Sequence, residues 1–329
     1  MQFVILAIVI VVAGAFLSWC ADDIAEITGL GRLLIGSLLL ASATSLPELT
    51  VDIACVRQGT PDLAVGDLLG SCLMNLLILA VLDLTHHSRG RMFSRTSAGH
   101  ALGGTASIAL VSILLLSLLV EPQTRGCEWL GMGPGCLMIL VGYILSIRMI
   151  FLDQRLATQP SSESSSEKNS HSRQGLVRPV IAFAVASLVI LLAGPRLSTA
   201  AEGIAEQSEL AKTFVGTTLV AMTTSLPELV TCWVAVRLGR LDLAIGNVFG
   251  SNAFNILILA GLDTLQPGSL LAVVSPLHGI TAAFIILATC VTIMGQLYHA
   301  EKRCWVLEPD ATILILLILS GLVLIYLVS

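Results

Sequence analysis

The sequence predicts an all-α membrane protein of ten transmembrane helices, folded as two inverted five-helix repeats. Three observations carry this. Of 329 residues, 55% are hydrophobic and 12% charged, whereas soluble domains carry about 25% charged residues. Ten apolar runs can each cross a hydrocarbon layer of about 30 Å, near 2–20, 33–56, 63–82, 102–120, 134–152, 179–195, 213–236, 243–262, 274–295 and 310–328. Residues 35–83 recur as 215–263 at a constant offset of 180, without a gap and with 25 of 49 positions identical.

Helices are the natural spanning element, because lipid offers no partner for backbone polar groups, and the runs are too long for barrel strands. The first run has no Lys or Arg before it, so it lacks the basic head of a signal peptide and reads as a span. With the N-terminus outside, thirteen basic residues fall on the inner side, against Arg57, Arg125, Arg196 and Lys212 on the outer side. Basic loops stay inside, so both termini are expected outside, in a multi-pass protein of a prokaryotic inner membrane. The loop 85–101, with His86 and His87, then lies on the basic inner side, and His278 and His299 sit at span ends. Residues 158–175, TQPSSESSSEKNSHSRQG, are too polar to build a core. They divide the chain into a first half (1–152), a linker (153–178) and a second half (179–329). Five spans per half is odd, so the second half enters the membrane upside down. Transporters with this symmetry bind their ions near the midplane, where the halves meet.

The formal charge of −5 is spread over loops and a few intramembrane acids and argues against a nucleic-acid partner. Lipid and small cations are the expected partners of a chain acting as a monomer. Eight cysteines show no paired spacing for a metal. Cys127 and Cys136 are spaced to meet in an outer loop, with isolated structural thiols as the alternative.

The chemistry lies in the repeated stretch. Glu48 and Glu228 sit near the middle of their spans, where a carboxylate costs a few kcal/mol and marks an ion or proton path. Each follows a proline. Pro47 and Pro227 have no N–H, so the carbonyls of Ala43 and Thr223 lose their helical donor. Thr44, Ser45, Thr224 and Ser225 add hydroxyls, with Thr44 and Thr224 one turn from the glutamates on the same face. On the next span Asp67, Ser71 and Asn75 follow at steps of four, and Asn247, Ser251 and Asn255 repeat the stripe. Gly66-xxx-Gly70 and Gly246-xxx-Gly250 supply close helix packing beside it. An all-oxygen set selects hard cations: Ca²⁺ takes six to eight such ligands, and Na⁺ accepts fewer.

The blocks ATSLPEL and TTSLPEL, with GDLLGSCLMN and GNVFGSNAFN after them, resemble the cation/Ca²⁺ exchanger superfamily, specifically its Na⁺/Ca²⁺ exchanger branch without a large regulatory loop. The resemblance covers nearly the whole chain. It implies a transporter with no cofactor beyond its cargo, exchanging Na⁺ for Ca²⁺ at one central cluster. Spans one and six would slide across a core of eight. Carried over residue by residue, Ala41, Thr44, Ser45, Glu48, Ser71 and Asn75 would be ligands from one repeat. Ala221, Thr224, Ser225, Glu228, Ser251 and Asn255 would be their counterparts, with Ala41 and Ala221 acting through carbonyls. Ala43, Thr223, Asp52, Asp67, Asn247, Pro47 and Pro227 would surround the site or line its entrance.

Several positions depart from the family pattern. Ala43 and Thr223 stand where glycine is usual, Asp67 and Cys72 where asparagines are, and Asn255 where an aspartate is frequent. Asp52, whose repeat partner is Cys232, is also unusual. Two glutamates balance one Ca²⁺ or two Na⁺, so transport is expected to be less electrogenic than with a third central acid. H⁺-coupled or K⁺-dependent exchange is the alternative within the class, and a non-transporting ion sensor or scaffold is the alternative outside it. No nucleophile–base pair or nucleotide loop suggests an enzyme.

Overall fold

The computed structural model describes residues 2–85, 100–123, 129, 131–157, 175–207, 223–297 and 309–328. They are almost entirely helical. Helix α1 spans Gln2–Thr28, followed by α2 (Arg32–Ile35), a wide π turn at Gly36–Leu40, α3 (Ala41–Thr44) and α4 (Leu46–Arg57). Then come α5 (Pro61–Thr85), α6 (His100–Val120), α7 (Pro134–Ala157) and α8 (Val177–Gln207). The chain continues with α9 (Leu226–Arg237), α10 (Leu241–Asp263), the single turn α11 (Leu270–Val273), α12 (His278–Leu297) and α13 (Pro309–Val328). Pro61 and Pro134 open their helices, where a missing N–H costs nothing.

Seven of these helices are long and apolar enough to cross a membrane, or eight when the bent pair Arg32–Thr44 and Leu46–Arg57 counts as one span. Ten runs were expected. Of the other two, 213–236 overlaps residues 208–222, which lie outside the described set, and 310–328 appears as a shorter apolar stretch at Asp310–Ile325. The loop with His86 and His87, His299, most of the Ser-rich linker and Cys127 of the suggested disulfide also lie outside the described residues. His100, at the end of the expected loop, is already helical and pairs with Asp242 (Nε2 to Oδ1, 3.1 Å).

Helix α10 is central: 89% of its most apolar window is buried, against 28% for α7 and for α8, which face lipid. Its small residues allow this depth. A Cβ on Gly246 would lie 2.6 Å from the Leu33 carbonyl oxygen, and one on Gly250 would collide with the Ser37 backbone. The expected close packing is therefore present at Gly246 and Gly250, where the backbones of α2 and the π turn nearly touch α10, but not at Gly66 and Gly70, where a Cβ would meet His278 at 3.6 Å and nothing within 4 Å, respectively.

Side-chain pairs fix the ends. Asp22 accepts from Arg32 Nε at 2.5 Å and from Arg240 Nε at 3.0 Å, so α2 and α10 start at the same end of the bundle. The chain runs from Arg32 through α4 before it turns at Gln58–Thr60, which puts that turn at the end opposite the Leu238–Arg240 turn. Both turns share one geometry. Gly59 and Gly239 have φ of 78° and 72°, a region glycine enters without a Cβ penalty. His278, placed by sequence at a span end, pairs with Asp62 at 3.1 Å and mirrors His100–Asp242. Near α11, Asp263 accepts from the amides of Gly133 (2.6 Å) and Leu270 (2.5 Å), and Glu121 accepts from the Gly135 amide (2.6 Å) and the Ser269 hydroxyl. These contacts cap the starts of α7 and α11.

Gly246→Ala and Gly250→Ala are expected to cost about 1–3 kcal/mol each through overpacking. In detergent this would be read as a lower thermal unfolding midpoint. Gly103→Ala, whose Cβ would meet Phe249 at an ordinary 3.7 Å, should leave the midpoint near wild type.

Candidate cation-binding site

The site begins with two matching breaks. Ser45 leaves the helical region (φ −86°, ψ 10°) and α4 restarts at Leu46 with Pro47 in its first turn, bending the span by 46°. Ser225 does the same (φ −81°, ψ 6°) ahead of Leu226 and Pro227. The proline kinks read from sequence are thus real. Their effect is to place Glu48 and Glu228 in the first turn of a helix, where its N–H groups stabilise negative charge. Both glutamates are 1% exposed.

Four helices converge there. Ser71 on α5 donates its hydroxyl to Glu48 Oε1 (3.2 Å), and its oxygen lies 3.4 Å from Ser225 Oγ. Thr44 Oγ1 lies 3.4 Å from Ser251 Oγ on α10. Thr44 and Ser45 stand beside the Glu228 carboxylate, close enough to act on it but outside hydrogen-bond geometry. The two glutamates also act on each other electrostatically. Among the described residues, Glu48 Oε2, both Glu228 oxygens, Ser45 Oγ and the amide oxygens of Asn75 and Asn255 have no hydrogen-bond partner.

Asn75 and Asn255 are buried where α5 crosses α10. Asn75 Nδ2 donates to Asn252 Oδ1 (3.0 Å), Asn252 Nδ2 to the Cys72 carbonyl (3.2 Å), and Asn255 Nδ2 to Cys72 Sγ (3.9 Å). As the α5 partner moves from 72 to 75, the α10 partner moves from 255 to 252, so the helices cross antiparallel. Asn252 is the residue that sequence reasoning did not single out. Its signal was its place in GSNAFN opposite Cys72. These bonds occupy the amide nitrogens of all three and the Asn252 oxygen, while the oxygens of Asn75 and Asn255 have no hydrogen-bond partner.

The other expected residues divide. Thr224 is buried beside Ser225. The Ala41 carbonyl already accepts from the Ser45 amide (3.1 Å) and the Thr44 hydroxyl (3.2 Å). Ala43 and Thr223 are buried just before the breaks, while Ala221 lies outside the described residues. Asn247 donates to Thr231 Oγ1 (3.0 Å) and Cys232 Sγ (3.3 Å), tying α9 to α10. Asp52 is fully buried one turn beyond Glu48 on α4, and Asp67 is half-buried one turn before Ser71 on α5. Among the described residues, no three or more His, Cys, Asp or Glu side chains cluster for a metal. The centre is therefore two carboxylates within hydroxyls and amides, suited to one divalent or two monovalent hard cations.

The family model described as sodium/calcium exchanger protein matches residues 1–152 and 178–329. The sodium/calcium exchanger MaX1 of Methanosarcina acetivorans is 27% identical over 267 residues, covering 74% of this chain and 76% of that protein. The Ca²⁺/H⁺ antiporter ChaA of Bacillus subtilis is 22% identical over 256 residues, covering 76% and 71%. A solved structure of the sodium-calcium exchanger NCX_Mj superimposes with a TM-score of 0.71 at 18% identity, covering 98% of this chain and 96% of that one. At that identity the likeness is one of fold.

Asn252→Ala removes two buried hydrogen bonds at the crossing and leaves the Asn75 amide without its acceptor. It is expected to destabilise the protein by about 1–3 kcal/mol, measured by thermal or denaturant unfolding in detergent.

Proposed function

The chain belongs to the sodium/calcium exchanger protein family, a family of transporters rather than enzymes, and from that premise we propose that it is a secondary antiporter exchanging Na⁺ for Ca²⁺ at the Glu48–Glu228 cluster. One observation carries the reading: two buried glutamates from matching helix breaks act on each other inside a bundle of apolar helices, amid hydroxyls and amides, with Glu48 Oε2 and both Glu228 oxygens lacking a hydrogen-bond partner. Left alone, that arrangement concentrates negative charge where little water screens it. A bare cation between the carboxylates resolves it. Thr44, Ser45, Ser71, Asn75 and their counterparts Thr224, Ser225, Ser251 and Asn255 would complete the shell.

The proposal includes two inverted halves of five spans each, joined by the Ser-rich linker, with both termini outside. Support comes from the antiparallel crossing of α5 and α10, the opposed ends of the two hairpin turns, and the family match over both halves. Alternating access would then expose one site to each side in turn. Na⁺ is favoured as coupling ion because the relative named as a sodium/calcium exchanger is closer than the one named as a Ca²⁺/H⁺ antiporter. Two central carboxylates match one Ca²⁺ against two Na⁺, an exchange that moves no net charge.

In proteoliposomes, an outward Na⁺ gradient should drive ⁴⁵Ca²⁺ uptake, while a pH step or a K⁺ gradient alone should not. Uptake driven by the pH step in sodium-free buffer would assign the coupling to protons instead. Glu48→Gln and Glu228→Gln should each reduce uptake at least tenfold. The Na⁺-driven rate should change little when a K⁺-diffusion potential is imposed.

A further inference from the structure

The α4–α5 hairpin holds two acids that the central cluster does not use. Ser71 on α5 meets Glu48 on α4 at 3.2 Å. In an antiparallel hairpin, four residues toward the turn on one helix are matched by four back on the other. Asp67 therefore faces Asp52, about 6 Å nearer the turn than the Ser71–Glu48 contact. The second hairpin displays the same register directly, with Asn247 Nδ2 3.3 Å from Cys232 Sγ at the equivalent positions. The two hairpins turn alike: Thr60 N donates to Cys55 O at 3.0 Å, and Arg240 N to Ala235 O at 2.8 Å.

At this level the halves differ chemically. The second half closes the position with a neutral amide–thiol contact, whereas the first sets two carboxylates against each other. Asp52 is 0% exposed, and neither of its carboxylate oxygens has a hydrogen-bond partner among the described residues. It and Asp67 act on each other electrostatically, and both act on Glu48. Two opposed carboxylates offer oxygen ligands whose combined charge one divalent ion balances. With oxygen ligands alone, that ion is hard.

We propose that Asp52 and Asp67 form a second station for a Ca²⁺-class divalent cation, one helical turn from Glu48 toward the Gln58–Thr60 turn and without a counterpart at the other end of the bundle. The inference rests on the transport reading only for direction of travel. Ions arriving from the α4–α5 turn meet Asp52 and Asp67 before Glu48, whereas ions from the opposite end reach the centre past Cys232 and Asn247.

The test is equilibrium ⁴⁵Ca²⁺ binding to the purified full chain in Na⁺-free detergent. Wild type should bind two Ca²⁺ per chain. Asp52→Cys with Asp67→Asn recreates the pair that the second half already packs, so the protein should fold and bind one. Asp67→Asn alone should weaken one of the two sites at least tenfold. Glu48→Gln with Glu228→Gln should retain one bound Ca²⁺. A wild-type stoichiometry of one, or two bound ions persisting in the Cys–Asn variant, would overturn the second station. Binding of Na⁺ at Asp52 and Asp67 with no Ca²⁺ bound there would overturn its divalent assignment. Failure of the transport reading would appear separately, as ⁴⁵Ca²⁺ flux that survives Glu48→Gln and Glu228→Gln whatever the stoichiometry.

Discussion

Two carboxylates held face to face in a poorly solvated interior repel each other and lose their hydration, and the architecture around Glu48 and Glu228 answers that constraint. The breaks at Ser45 and Ser225 supply helix N-termini at the depth of the charge. Ser71 bonds one carboxylate, while Thr44 and Ser45 flank the other. Asn75 and Asn255 spend their nitrogens on the partner helix, and their oxygens keep no hydrogen-bond partner. Without α10 buried to its full depth these groups would not meet, and Gly246 and Gly250 make that depth possible.

What could be read from the sequence was local or periodic. The duplication, the Ser/Thr-Pro breaks, the stripe of Ser71 and Asn75, and the glycine pair of α10 each follow from spacing within one helix. What could not be read depended on which faces cross. The bond from Asn75 to Asn252 joins residues 177 apart, and nothing in either helix alone selects the other. The His100–Asp242 and His278–Asp62 pairs likewise join the halves, so a hydropathy reading saw only a loop end and a span end.

The differences between the halves carry as much chemistry as their likeness. Cys72 stands where the second half has Asn252, yet the two residues touch, the Cys72 thiol donating to the Asn252 carbonyl at 3.8 Å. At this pair of equivalent positions the crossing therefore holds one side-chain amide and one thiol. Asp67 and Asn247 diverge in the same way, one leaving charge near the centre and the other tying helices together.

Asp22 bonds Arg32 and Arg240 through its two separate oxygens. A single carboxylate thus pins the end of α1 to the starts of both α2 and α10. The opposite end of α1 meets α8 and Leu226 through an apolar patch around Ile10, Ala193 and Leu197. If α1 shifts along the bundle, the greasy end can glide with little penalty, but at Asp22 both arginines must let go in the same event. That end of the helix behaves as a detent, a catch that holds one resting position and releases all at once.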